Sequence, residues 1–144
     1  MTVEALIPRG GHISYGLLGV CFEPVDGARD VRLEVPWSAP GGAIWAESLS
    51  VLYPSPLGLS EAFAPPVLVE MAAAAQGRVA PGVLRVTEAA ECEVGSSPKY
   101  MSGLARACLE LLLSGPGSDE AFIALLRQSW NWNPLAGAPG SGPV

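Results

Sequence analysis

Hydrophobic residues are most concentrated near the N-terminus, in a run that predicts a buried β-strand. Residues 17–22 are apolar apart from one glycine, and a glycine-rich stretch, residues 10–16, precedes them. The run ends at Glu23-Pro24, where proline cannot donate a hydrogen bond to a neighbouring strand. We expect this strand to be central, with the other strands and the main helices packed around it.

Three further segments have the pattern of strands. Residues 3–7 are mostly apolar and stop before a proline, which predicts an edge strand. Residues 31–35 alternate strictly, as in a half-exposed antiparallel strand, and follow Asp26-Gly27, a hairpin turn signal. Residues 83–94 alternate over a longer distance, but Glu88 falls on the apolar side. Either a bulge or exposed strand end, or a buried functional carboxylate, would account for this exception.

Helical spacing of apolar residues predicts two main helices and a short third one. The first opens at Pro65-Pro66, the second ends near Leu113, and Ser118 begins the third. Residues 134–144 are Pro, Gly, Ala and Ser with few large side chains, which predicts a disordered tail. Residues 1–133 are therefore expected to form a single α+β domain with about four strands.

Composition narrows the classes of function. The net charge is −6 with a single lysine, which argues against an autonomous nucleic-acid binder. The charged fraction is only 15%, so small residues or a partner must cover much of the surface. Three cysteines without metal-ligand spacing indicate buried thiols, and we expect neither a metal nor a cofactor. Neither a signal peptide nor a membrane span is apparent, so a cytoplasmic protein is expected.

Several short motifs follow one another in a familiar order. Residues 10–16 read Gly-Gly-His-Ile-Ser-Tyr-Gly, Glu23-Pro24 ends a strand, and Gly41-Gly42-Ala43-Ile44 forms a turn. Phe63-Ala64-Pro65-Pro66-Val67 opens a helix, and Gly95-Ser96 precedes the next one. Over about residues 6–113 this series resembles domain IV of the translocation factor elongation factor G and its eukaryotic relatives. The corresponding family motifs are Gly-Gly-x-Gly-x-Tyr-Gly, a Glu-Pro strand end, Gly-Gly-Val-Ile, Tyr-Ile-Pro-Ala-Val and Gly-Ser.

The resemblance implies a fold and a working surface. The fold is that of the second domain of a small-subunit ribosomal protein, a split β-α-β sheet with two helices on one face. In elongation factor G, two loops at the tip of this domain enter the ribosomal decoding site, and they correspond here to the regions near residues 10–14 and 95–99. The sequence contains no P-loop and lacks the family's histidine after the Gly-Ser turn. Either Ser97 or Ser102 caps the following helix.

We therefore expect a non-catalytic binding module whose partner is a protein assembly or the ribosome. The acidic composition favours a protein face over bare RNA, with local positive charge supplied at the tip. The expected tip-loop residues are Arg9, Gly10, Gly11, His12, Ser14, Gly95, Ser96, Ser97 and Lys99.

Two alternatives use other features of the chain. Gly95-Ser96-Ser97 before a helix is similar to the phosphate loop of a kinase family on the same fold, so a small ligand- or phosphate-binding protein or enzyme is one alternative, with Glu88 in its pocket. A simple helix cap is the competing interpretation of these serines. The other alternative is a homo-oligomeric structural module, suggested by the low charge and the apolar residues 44–53. Its candidate interface aromatics are Trp45, Tyr53, Trp130 and Trp132.

Overall fold

The structure is a computed structural model that describes residues 1–9, 12–36, 42–46, 49, 54–115 and 117–130. This part of the chain forms four strands and three helices. In chain order they are β1 (Thr2–Arg9), β2 (His12–Pro24), β3 (Val31–Glu34), α1 (Ala64–Ala75), β4 (Gly82–Ala90), α2 (Pro98–Ser114) and α3 (Asp119–Trp130).

The four strands form one mixed sheet in the order β1-β2-β4-β3. The 13-residue strand β2 lies inside the sheet and pairs antiparallel with both β1 and β4, whereas β3 pairs parallel with β4. β4 therefore inserts between β2 and β3, which follow each other in the chain. The predicted α+β class, the central strand and the edge position of β1 are confirmed.

The expectation of an antiparallel β3 was wrong. The predicted turn exists, since Ala28 N–H donates to the Val25 carbonyl at 3.1 Å and Gly27 has a φ of 77°. It does not make a hairpin, because β2 and β3 are separated by β4. Alternation of polar and apolar residues reports one buried face of a strand and carries no information on the direction of its neighbour.

Both main helices pack on one face of the sheet and form the core with it. Gly16 of β2 lets α2 approach closely, because a Cβ there would lie 2.7 Å from Met101 Sδ and 3.1 Å from Leu104 Cδ2. α3 completes the core at its edge through Leu126. Among the fully buried members of this core are Leu18, Val20, Leu59, Val67, Met71, Leu84, Met101, Leu104, Cys108, Leu109 and Leu111.

A β-bulge in β4 explains the exception at Glu88. Gly19 of β2 pairs with Glu88, but the next residue, Val20, pairs with Val86, so Thr87 is the extra residue. The bulge changes which residues face the core, so Ala89 joins it and Glu88 is exposed. The predicted bulge is confirmed, and the alternative of a buried carboxylate was wrong.

A candidate binding surface at the tip of the sheet

The β1–β2 end of the sheet is a hairpin with a very short connection. Arg9 pairs with His12 at the end of the ladder, so only Gly10 and Gly11 separate the strands. These two glycines, and the side chains of Arg9 and His12, lie outside the described part of the chain. Most of the predicted glycine-rich turn is therefore strand, because pairing with β1 continues to the first residue of β2.

The second predicted tip loop lies directly against this hairpin. Tyr15 N–H donates to the Gly95 carbonyl at 3.0 Å. A Cβ on Gly95 would lie 3.1 Å from the Ile13 carbonyl oxygen, so this approach of two backbones favours a residue without a side chain. The described part of the first predicted tip region, at Ile13, thus lies next to Gly95 of the second.

Ser96 ties the two loops together with its hydroxyl group. Its Oγ accepts a hydrogen bond from Cys92 N–H at 2.8 Å and donates one to the Tyr15 carbonyl at 2.8 Å. The Ser96 N–H also donates to the Cys92 carbonyl at 3.0 Å. These bonds close the turn at residues 93–95 and fix it to β2. The Ser96 hydroxyl therefore donates its single proton to the Tyr15 carbonyl.

Ser97 is the N-cap of α2. Its Oγ accepts a hydrogen bond from Tyr100 N–H at 3.1 Å, and Pro98 occupies the first helical position. The structure therefore selects Ser97 over Ser102 as the cap. The phosphate-loop alternative has fewer free donors here, because Ser97 already satisfies the Tyr100 amide and Pro98 has no N–H to offer.

The first turn of α2 contains a lysine, although a positive charge is unfavourable at this end of a helix. Lys99 is exposed there, and the turn contains no acidic residue. The positive end of a helix dipole disfavours a cation, so helix stability does not explain the lysine. Lys99 and the helix end thus bring positive charge to the tip, where Glu93 of the adjoining turn is also exposed.

Glu88 does not belong to the tip. It pairs with Gly19 midway along β2, and its Oε2 accepts a hydrogen bond from Thr2 Oγ1 at 3.1 Å. The pocket predicted between Glu88 and the serine loop is therefore not assembled in the described part of the chain. Nor do three or more His, Cys, Asp or Glu side chains gather there into a group able to hold a metal ion.

The residues before α1 cross the helix-free face of the sheet next to the tip. Leu57 forms an antiparallel bridge with Ala90 of β4, and Gly58 N–H donates to the Ala89 carbonyl at 2.7 Å. Residues 57 and 58 therefore pack on the sheet through backbone contacts with β4.

Glu4 connects the same segment to β2, which the sequence did not reveal. Its Oε1 accepts hydrogen bonds from Tyr15 Oη at 2.9 Å and from Leu49 N–H at 2.9 Å. The Leu49 and Ile44 side chains stay about half exposed, at 53% and 49%. Glu4 is separated from Leu49 by most of the first half of the chain, so no local pattern could predict the contact.

Of the four candidate interface aromatics, the structure describes the side chain of Trp45 alone. Trp45 is half-buried, and its backbone N–H donates to the Ser55 carbonyl at 2.9 Å. Trp130 is the last residue of α3. Tyr53 and Trp132 lie outside the described residues.

Comparisons with protein-family models, with curated proteins and with solved structures found no match for the chain. The resemblance to domain IV of elongation factor G thus stays a prediction that rests on the sequence motifs. No helix within the described residues is both long and apolar enough to span a membrane.

Proposed function

We propose that this chain is a non-catalytic binding module that contacts its partner with the tip of the sheet. The tip consists of the hairpin end of β1 and β2, near residues 10–14, and the loop and helix start at residues 95–99. The partner is a negatively charged site on a protein assembly or on the ribosome.

The observation that carries the proposal is the hydrogen bonding between the turn at Gly95-Ser96 and β2. The Tyr15–Gly95 and Ser96–Tyr15 hydrogen bonds, 3.0 and 2.8 Å long, hold this turn against the hairpin, so the described part of the tip is preformed. A preformed surface reduces the ordering cost of binding. The Ser96 and Ser97 hydroxyls already form hydrogen bonds within the protein, which favours a binding role over phosphate chemistry.

Charge supports the choice of partner. Lys99 lies at the positive end of α2, and Arg9 ends the neighbouring strand, within a chain of net charge −6. A small positive tip on an acidic body suits a local anionic site, whereas it suits extended RNA binding poorly, because RNA would meet the repulsive remainder of the surface. Two buried thiols, Cys92 and Cys108, agree with the reducing conditions of the proposed cytoplasmic location.

The test reverses the tip charges. Tagged protein is used to capture the partner from host lysate. We expect the double variant Arg9→Glu/Lys99→Glu to capture about one tenth of the partner that the wild type captures, or less. Capture is quantified by mass spectrometry for proteins and by RNA quantification, at low and at high salt.

The double variant Arg29→Glu/Arg127→Glu is the matched control, because it makes the same change of net charge at exposed positions away from the tip. This control should retain the partner. Equal capture by the wild type and both double variants would refute the tip as the contact surface. Equal loss in both would show a general charge effect and would also count against it.

A further inference from the structure

The outer edge of β3 is open for hydrogen bonding. β3 is the last strand of the sheet, and no described residue pairs with its other side. Gly82 N–H donates to the Asp30 carbonyl at 3.1 Å, which fixes the alternation of the parallel ladder. Arg32 therefore directs its peptide groups toward β4, and Val31 and Leu33 direct theirs outward.

A mostly apolar surface lies next to this edge. Between β3 and the end of α1 there is a groove of about 480 Å³, lined by Val31, Leu33 and small residues of α1 such as Ala72 and Ala73, with the charged residues Arg29 and Asp30 also in its lining. Val69, on the outer face of α1, is 70% exposed. An open strand edge beside such a surface is a site for strand addition.

The charged side chains of β3 form a pattern that is complementary to a second, antiparallel copy of the same strand. Arg32 and Glu34 project on the side of the strand opposite the core, where Arg32 Nη2 lies 2.8 Å from Glu34 Oε1 and Arg85 Nε lies 2.7 Å from Glu34 Oε2. If two copies of the strand pair antiparallel about Leu33, Arg32 faces Glu34 of the partner subunit and Glu34 faces Arg32 of the partner subunit. Opposite charges at facing positions stabilise an antiparallel pair.

The same register also pairs the outward-facing backbone N–H and C=O groups of β3. Leu33 lies opposite Leu33 of the partner subunit, and Val31 lies opposite Val35 of the partner subunit. All of these residues belong to the outward-facing set, so each opposed pair exchanges hydrogen bonds. The side chains of Val31, Leu33 and Val35 are partly buried against the core, so the apolar face would continue from one copy to the next.

We propose that two copies of this chain dimerise through the β3 edges in this register, forming a continuous eight-stranded sheet. A second copy fits better than an unrelated peptide, because the hydrogen-bonding set, the apolar face and the charge pattern all match under one two-fold axis. This interface is distinct from the tip and does not depend on the proposed function.

Light scattering after size exclusion tests the dimer. The wild type should show a mass near twice the 14.9 kDa of the chain at tens of micromolar. Arg32→Glu places like charges at both facing positions and should raise the dissociation constant about tenfold or more. Arg32 is 71% exposed, so the variant should fold normally. Arg127→Glu makes the same charge change on α3 and should leave the dimer intact.

Hydrogen exchange identifies the edge. The amides of Val31, Leu33 and Val35 should gain protection at high protein concentration, while that of Arg32 is already bonded to β4 and should change little. A wild type that is monomeric up to about 100 µM would overturn the proposal. A dimer that Arg32→Glu leaves unchanged, or whose β3 amides gain no protection, would overturn this interface.

Discussion

Replacing Ser96 with alanine tests the contact that unites the two tip loops. The change removes the hydrogen bonds from Cys92 N–H and to the Tyr15 carbonyl, both 2.8 Å long and partly buried. Each such bond contributes about 0.5–1.5 kcal/mol net to stability. We therefore expect Ser96→Ala to lower the free energy of unfolding by about 2 kcal/mol, without changing the net charge.

Urea unfolding followed by circular dichroism measures this loss. With an m-value of about 2 kcal/mol/M, the midpoint should fall by about 1 M while m stays constant. Ser102→Ala is the matched control, because Ser102 is half-buried on α2 without a side-chain hydrogen bond among the described contacts, and its midpoint should move by less than about 0.3 M. If Ser96→Ala and Ser102→Ala unfold at the same urea concentration, the Ser96 bonds do not stabilise the tip.

Three other predictions concern the rest of the fold. Burial raises the pKa of the Cys108 thiol to about 12, so iodoacetamide at pH 8 should label the half-exposed Cys21 of the native protein and spare Cys108, as peptide mass spectrometry can check. The hydrogen bond from Arg78 lowers the pKa of Glu110 below its usual 4.5; its folded pKa is depressed, so the stabilisation is complete above about pH 4.5 and is lost as pH falls through the lower folded value. The stability difference between the wild type and Glu110→Gln should therefore shrink in acid when urea midpoints are compared between pH 7 and pH 3. Gly16→Ala crowds the buried α2 side chains and should destabilise the protein by about 1–3 kcal/mol in the same urea assay, and an unchanged midpoint would contradict the close packing of α2 on β2.

The local elements of the fold were predictable because their signals are local. The apolar run of β2, the prolines that open α1, the serine that caps α2 and the glycine that ends it each act within a few residues. Gly115, for example, ends α2 in the left-handed region, with a φ of 53°. Even the bulge at Glu88 was visible as a break in alternation.

The direction of β3 and the contacts of the tip depend on distant parts of the chain. β3 pairs with a strand that begins about fifty residues later, and its own alternation is the same for parallel and antiparallel neighbours. Ser96 could be assigned to a turn, but its bond to Tyr15 spans 81 residues. The sequence therefore predicted that residues 10–14 and 95–99 are loops near a tip only through the resemblance, and not through its local patterns.

Co-sedimentation with purified host ribosomes over a series of salt concentrations tests the proposed function most directly. We expect the wild type and Arg29→Glu/Arg127→Glu to sediment with ribosomes at low salt and to be released as salt rises, whereas Arg9→Glu/Lys99→Glu should stay in the supernatant. A wild type that stays in the supernatant at every salt concentration would rule out the ribosome as the partner. Sedimentation of all three proteins alike would contradict a contact through the tip.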